Sequence, residues 1–266
     1  RLAWVGPVPD RGPLSVKTSL LAVLSSAVLL TGAPASAQKN DEPVMSAQVD
    51  LDGDGKPDAV SLSAGKDGKF TLKAGGATLQ GNASGNEVRG FTVVDLDTGD
   101  KWKELLVHTL GDVDDDHRFF LYGYDGRTVK PLGDVRALTE AKGNGIVLVD
   151  TWMGFWQKRD KYTLDRKAWK LVHVPQELYA VGLDATAAGV EATVKKSFPL
   201  AQSRTASAVV ATTAQGSKVR VLAASVPAKL GEREDVWYLV KSSTGLLGWV
   251  RGNVLVESTE GLPMAG

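Results

Sequence analysis

Between residues 44 and 178 the chain alternates short apolar runs with glycine and aspartate, and no stretch keeps a helical period for three turns. Runs rich in β-branched and aromatic residues, each closed off by turn residues, predict strands. The pattern places them over residues 45–49, 59–63, 69–74, 88–94, 104–109, 118–124 and 128–132, then over 145–151, 161–164 and 169–174. Residues 176–189, rich in Ala and Gly, read as a linker. A second set follows over 192–195, 199–200, 203–207, 209–211, 216–222, 237–241 and 246–250, which suggests a small barrel spanning about 188–257. The expected fold class is all-β, in two domains.

The N-terminal region repeats. The segment SAQVDLDGDGKPDAVSLS, whose first acid is Asp50, matches RGFTVVDLDTGDKWKELLVHT, whose first acid is Asp95, and a fainter third copy starts at GIVLVDTW with Asp150. A period of this size belongs to arrays of stacked sheets, because one sheet cannot cover its own apolar face.

The first copy concentrates charge. Asp50, Asp52, Asp54 and Asp58 crowd into one short loop with Gly53 and Gly55 between them. Carboxylates packed this closely repel, and a hard divalent cation relieves the repulsion. Ca²⁺ takes six to eight oxygens, and D-x-D-x-D-G supplies them at alternate loop positions, with the Lys56 carbonyl at the seventh and Asp58 at the ninth. Mg²⁺ fits less well because it retains its waters. The loop departs from an EF-hand: Ser61 stands where a bidentate Glu belongs, and both flanks read as strands. The alternative is a metal-free hairpin turn, since Asp and Gly favour turns on their own. The second copy keeps four acids, Asp95, Asp97, Asp100 and Glu104, as a second candidate calcium loop, with Lys101 and Lys103 to neutralise part of the charge. A third acidic run, Asp112 and Asp114–Asp116 ahead of His117, is open to metal or to solvated turn.

DLDGDGKPD resembles the calcium-binding core of FG-GAP/VCBS-type repeats, and DLDTGDKWKEL with DDDHRFFLYGYDG resembles their degenerate copies; the resemblance covers most of residues 44–178. It implies a propeller-like domain, here incomplete or small because two or three copies fall short of a full set of blades, with a β-sandwich as the alternative. QGSKVRVLAAS with WYLVKSSTGLLGWVRGNVL resembles a bacterial SH3-like domain, with an insertion at 227–235. That resemblance implies recognition of cell-wall peptides or envelope proteins. Trp237 and Trp249 read as residues of which at least one packs in the core; Tyr238, next along the strand, then faces the other way as the candidate ligand contact.

Charge and composition narrow the function. The 31 Lys+Arg balance 31 Asp+Glu, which argues against nucleic-acid binding. There is no cysteine, hence no disulfide and no thiolate metal site. Histidine occurs only at His108, His117 and His173, and no G-x-S-x-G, H-E-x-x-H or phosphate-loop motif is present. Trp152, Phe155 and Trp156 are open to a sugar-binding surface or to core packing.

The first 37 residues carry the features of an export signal: Lys17, an apolar run from Leu20 to Leu30 broken only by Ser25 and Ser26, and Ala35-Ser36-Ala37 for cleavage. Residues 1–15 read as an upstream extension, the signal proper starting at Val16. The run is too short for a permanent span, and no later segment qualifies, so the mature chain is expected to be exported, to the periplasm or beyond. The expected role is a non-catalytic exported binding or scaffold protein. The alternative is a cell-wall hydrolase or its accessory subunit, targeted by the SH3-like domain.

Overall fold

A computed structural model describes residues 42–112, 117–184, 189–206, 208–227 and 236–264. The expected export signal, part of the third acidic run and most of the 227–235 insertion lie outside the described residues. Among those described, no helix is long and apolar enough to cross a membrane.

The described residues are all-β, with four antiparallel sheets and one short α-helix. The first three sheets are consecutive four-stranded meanders, each strand bonded to the next in chain order. One comprises β1 (Ser46–Val49), β2 (Asp58–Ala64), β3 (Lys69–Ala74) and β4 (Ala77–Asn82). The second comprises β5 (Glu87–Val94), β6 (Glu104–Leu110), β7 (Arg118–Tyr124) and β8 (Val129–Val135). The third comprises β9 (Glu140–Ala141), β10 (Ile146–Trp152), β11 (Gln157–Asp165) and β12 (Lys170–Val174). Two apolar cores lie between successive sheets. Leu62, Phe70 and Leu72 of the first meet Phe91, Val107 and Tyr122 of the second, and Leu106, Leu121 and Leu132 of the second meet Val147, Val149 and Leu171 of the third. Alternation along each strand lets the second sheet feed both cores.

The fourth sheet takes β13 (Tyr179–Ala180), β14 (Val190–Val194), β15 (Pro199–Ala201), β16 (Val209–Thr212), β17 (Lys218–Ser225), β18 (Trp237–Lys241) and β19 (Leu247–Arg251). Helix α1 (Gly252–Ser258) and β20 (Thr259–Glu260) complete it. Its order is the open path β16-β15-β19-β18-β17-β14-β20, with β13 paired to β17.

Residues 179–181 do not behave as a linker: β13 joins the sheet, and Tyr179 and Val181 are buried in its core. That core also holds Phe155 and Trp156, from the tip of the β10–β11 hairpin of the third sheet. The Gln157 amide donates to the Gly182 carbonyl at 2.9 Å, and the Trp156 indole N–H donates to the Tyr238 hydroxyl at 3.1 Å. A second tie is the buried Asp160 of β11, whose carboxylate accepts from the Tyr179 hydroxyl at 3.0 Å and contacts Lys158 at 2.8 Å and His173 at 3.2 Å. Burial, and the Asp160 charge it faces, push the Tyr179 phenol up to about 12.

The β7–β8 turn shows how these hairpins close. Asp125 accepts the amides of Arg127 and Thr128 at 3.0 and 2.7 Å and pairs with Lys130 at 2.7 Å. The Lys130 ammonium, with the turn amides, holds the Asp125 carboxyl well below the usual carboxylate range. A depressed folded value contributes stability that is present above the unfolded value of about 4 and is lost as pH falls through the folded one. Asp125→Ala is therefore expected to lower stability by no more than about 1 kcal/mol at pH 6, the pair being screened by water. The gap between variant and parent urea midpoints should narrow as pH falls toward 2.

Candidate metal-binding loop

The loop between β1 and β2 is pinned at Leu51, which is fully buried while its neighbours reach solvent. Its tight course comes from carboxylates capping nearby amides. Asp50 accepts from Gly53 and Gly55 at 2.8 and 2.9 Å, Asp52 from Asp54 at 3.0 Å, and Asp54 from Lys56 at 2.8 Å. Gly53 has φ +66°, and a Cβ there would lie 2.6 Å from the Lys101 carbonyl oxygen, so only glycine lets the two loops touch.

Asp50, Asp52 and Asp58 converge: an oxygen from each lies within 4.8 Å of the others. Asp54 stays in the exposed turn outside this group of carboxylates, and Lys56 follows it with an exposed side chain. The second sheet walls the site. Gly126 of the β7–β8 turn backs on Asp52, where a Cβ would stand 2.5 Å from its Oδ2. Burial raises the Asp58 carboxyl above its ordinary value against the Leu51 amide, and the charges of Asp52, Asp54 and Asp50 raise it further. Burial and then the Asp58 charge raise the Tyr124 phenol in the same corner. The residues present, three hard oxygen donors converging on one point, suit a divalent cation of the calcium type.

The β5–β6 loop repeats the same frame. The Leu51 amide donates to Asp58 Oδ2 at 3.0 Å, and the Leu96 amide donates to Glu104 Oε2 at 3.0 Å. The Leu51 carbonyl accepts from Lys103, and the Leu96 carbonyl accepts from Gly145. Each loop thus hangs on the next, and the loops of the three sheets form one continuous row.

Within that frame the second loop is charged differently. Arg166, from the β11–β12 turn, reaches Asp100 with Nε at 2.9 Å and Nη2 at 2.7 Å, and Glu104 with Nη2 at 2.8 Å. Its guanidinium carbon lies 5.1 Å from the Trp102 ring centroid and 5.0 Å from that of Trp169. Glu104 is fully buried; burial pushes its carboxyl up, opposed by the Leu96 amide and Arg166. Asp97 caps the Gly99 amide at 3.1 Å. Asp95 keeps one buried oxygen without a hydrogen bond, and burial raises its carboxyl. Among the described residues Asp95, Asp97, Asp100 and Glu104 do not form a group of converging oxygens as the acids of the first loop do, and the cation that Asp100 and Glu104 share is an arginine. Sequence reading missed Arg166, which lies 62 residues from Glu104 with nothing local to announce it.

Asp150 lies in mid-strand on β10, bound by Arg159 through two hydrogen bonds at 2.7 and 2.6 Å, so GIVLVDTW is not a third acidic loop. The turn that occupies the loop position of the third sheet is 142–145, which lacks acids.

Tyr238 also differs from expectation. It is 4% exposed and faces the core with Val240, packed by Phe155 and Trp156. Trp237 and Trp249 take the opposite face, half-buried under Arg251 and Arg204 at 4.9 and 5.5 Å. The alternation was read correctly and its phase reversed, because the core of this sheet is completed by a hairpin from far upstream. No family model matches the chain, and no curated protein matches it in sequence.

Proposed function

We propose that this chain is an exported, non-catalytic binding or scaffold protein. Residues 44–178 would form a small propeller-like stack of FG-GAP/VCBS-type repeats steadied by calcium, and residues 188–257 an SH3-like module that engages cell-wall peptides or envelope proteins. The observation that carries this reading is the convergence of Asp50, Asp52 and Asp58 at the head of the first of three consecutive meanders. The recurrence of the Leu51–Asp58 bond as Leu96–Glu104 supports a true repeat. On this reading calcium serves the first loop, with the Lys56 carbonyl and water completing its oxygens, and Arg166 serves the second.

The test is a thermal melt of the protein with EDTA and with millimolar Ca²⁺, repeated on Asp52→Ala. Extracellular calcium modules bind at about 10⁻⁴–10⁻³ M. At tenfold excess over such a constant, linkage gives roughly 1.4 kcal/mol of stabilisation. The parent should gain it and Asp52→Ala should not; equal melts in both conditions would remove calcium from the reading. In a second arm, peptidoglycan should retain the protein without being cleared, whereas clearance of turbidity favours the hydrolase reading.

A further inference from the structure

Where the β10–β11 hairpin enters the fourth sheet, the packing is incomplete. A cavity of about 190 Å³ opens between the hairpin tip, β18 and α1. Phe155, Tyr238 and Val236 form its buried floor, and Met153, Val256 and Met264 form its sides. Val256 and Met264 are 39% and 46% exposed, so its apolar wall continues to the surface. An apolar cavity of about 150 Å³ stays dry and accepts a benzene-sized molecule. This one therefore has room for a single six-membered ring.

One charged group lines it. Glu257, on the outer turn of α1, is exposed and has no hydrogen-bond or ion-pair partner among the described residues. Of the other polar side chains in the lining, Asn253 accepts from the Val254 amide at 2.8 Å and the Tyr238 hydroxyl accepts from the Trp156 indole at 3.1 Å. An apolar pit with a single carboxylate at its mouth matches a ring that carries a positive charge one or two bonds away.

We infer that the cavity bounded by Phe155, Tyr238, Val256, Met264 and Glu257 is a binding site for a small arylalkyl ammonium ion. The ring enters between the hairpin and α1, and the ammonium remains at the mouth beside Glu257. The inference does not depend on the calcium loop or on the SH3-like assignment.

The experiment is a titration of the full chain with benzylammonium chloride, followed through the methyl resonances of Met153 and Met264, with benzyl alcohol and sodium benzoate as parallel arms. Benzylammonium should saturate both methyls in the millimolar range, benzyl alcohol should bind more weakly, and benzoate should not bind. Glu257→Gln should weaken benzylammonium roughly three- to fivefold, the range of an exposed ion pair, and leave benzyl alcohol unchanged. Val256→Trp, a change at the exposed rim, should block both benzylammonium and benzyl alcohol. Shifts that do not saturate, equal binding of benzoate, or unchanged benzylammonium affinity in Glu257→Gln would each overturn the assignment.

Discussion

Trp156→Ala is expected to destabilise the protein by about 3–5 kcal/mol, the range for truncating a fully buried large aromatic. Its indole is 0% exposed and is embedded among residues of the fourth sheet, although the hairpin that carries it belongs to the third. The loss combines the apolar surface returned to water, the void left beside Tyr238, and the hydrogen bond from the indole N–H to the Tyr238 hydroxyl. Tyr238→Phe removes that hydrogen bond while keeping the ring and should cost only about 1 kcal/mol. Urea denaturation followed by circular dichroism measures both. A loss below about 1 kcal/mol for Trp156→Ala would show that the hairpin does not contribute to that core in solution.

Arg166→Ala should be comparably severe. Among the described residues, the substitution leaves the fully buried Glu104 with only the Leu96 amide as partner and removes the cation from Asp100. Breaking a buried pair by deleting one member costs about 3–5 kcal/mol, chiefly for the charge left behind. Two controls separate charge from packing. Arg166→Lys keeps the charge without the flat fork that packs on Trp102 and Trp169, so it should recover only part of the loss. Glu104→Gln placed on Arg166→Ala removes the stranded charge and should return a substantial share of the stability. A double variant no better than the single would mean that packing on the two indoles, and not charge, is what Arg166 provides.

Much of the strand pattern was legible because each strand is a self-contained run of apolar and polar alternation. Residues 69–74, 118–124 and 237–241 are strands with the predicted bounds. The missed elements have specific causes. Strand β4 is polar over Gln80, Gly81 and Asn82, and Gly81 is required because the Phe70 ring sits where a side chain would be, 2.1 Å from its Cβ position. Helix α1 was hidden because Gly252, Asn253, Val254 and Val256 are poor helix formers, stabilised here by burial of Leu255. The third repeat was placed on the wrong strand because β9 is two residues long and leaves no apolar signature, so the stronger β10 was taken for the first strand of its sheet. Of the acidic loops, the local crowding of Asp50, Asp52 and Asp58 was visible in the sequence. The clamp by Arg166 was not, since it depends on the third sheet packing against the second.

The Phe155–Trp156 hairpin makes the chain a plug and a socket. Division of the sequence anywhere between β12 and β14 leaves one fragment with two bare aromatic rings at a loop tip and the other with an open hole beneath Tyr238. Neither piece is a finished folding unit, and each carries the surface that completes its counterpart. The natural behaviour of such halves is recombination, so the boundary between the two regions is a seam in space and has no single position in the sequence.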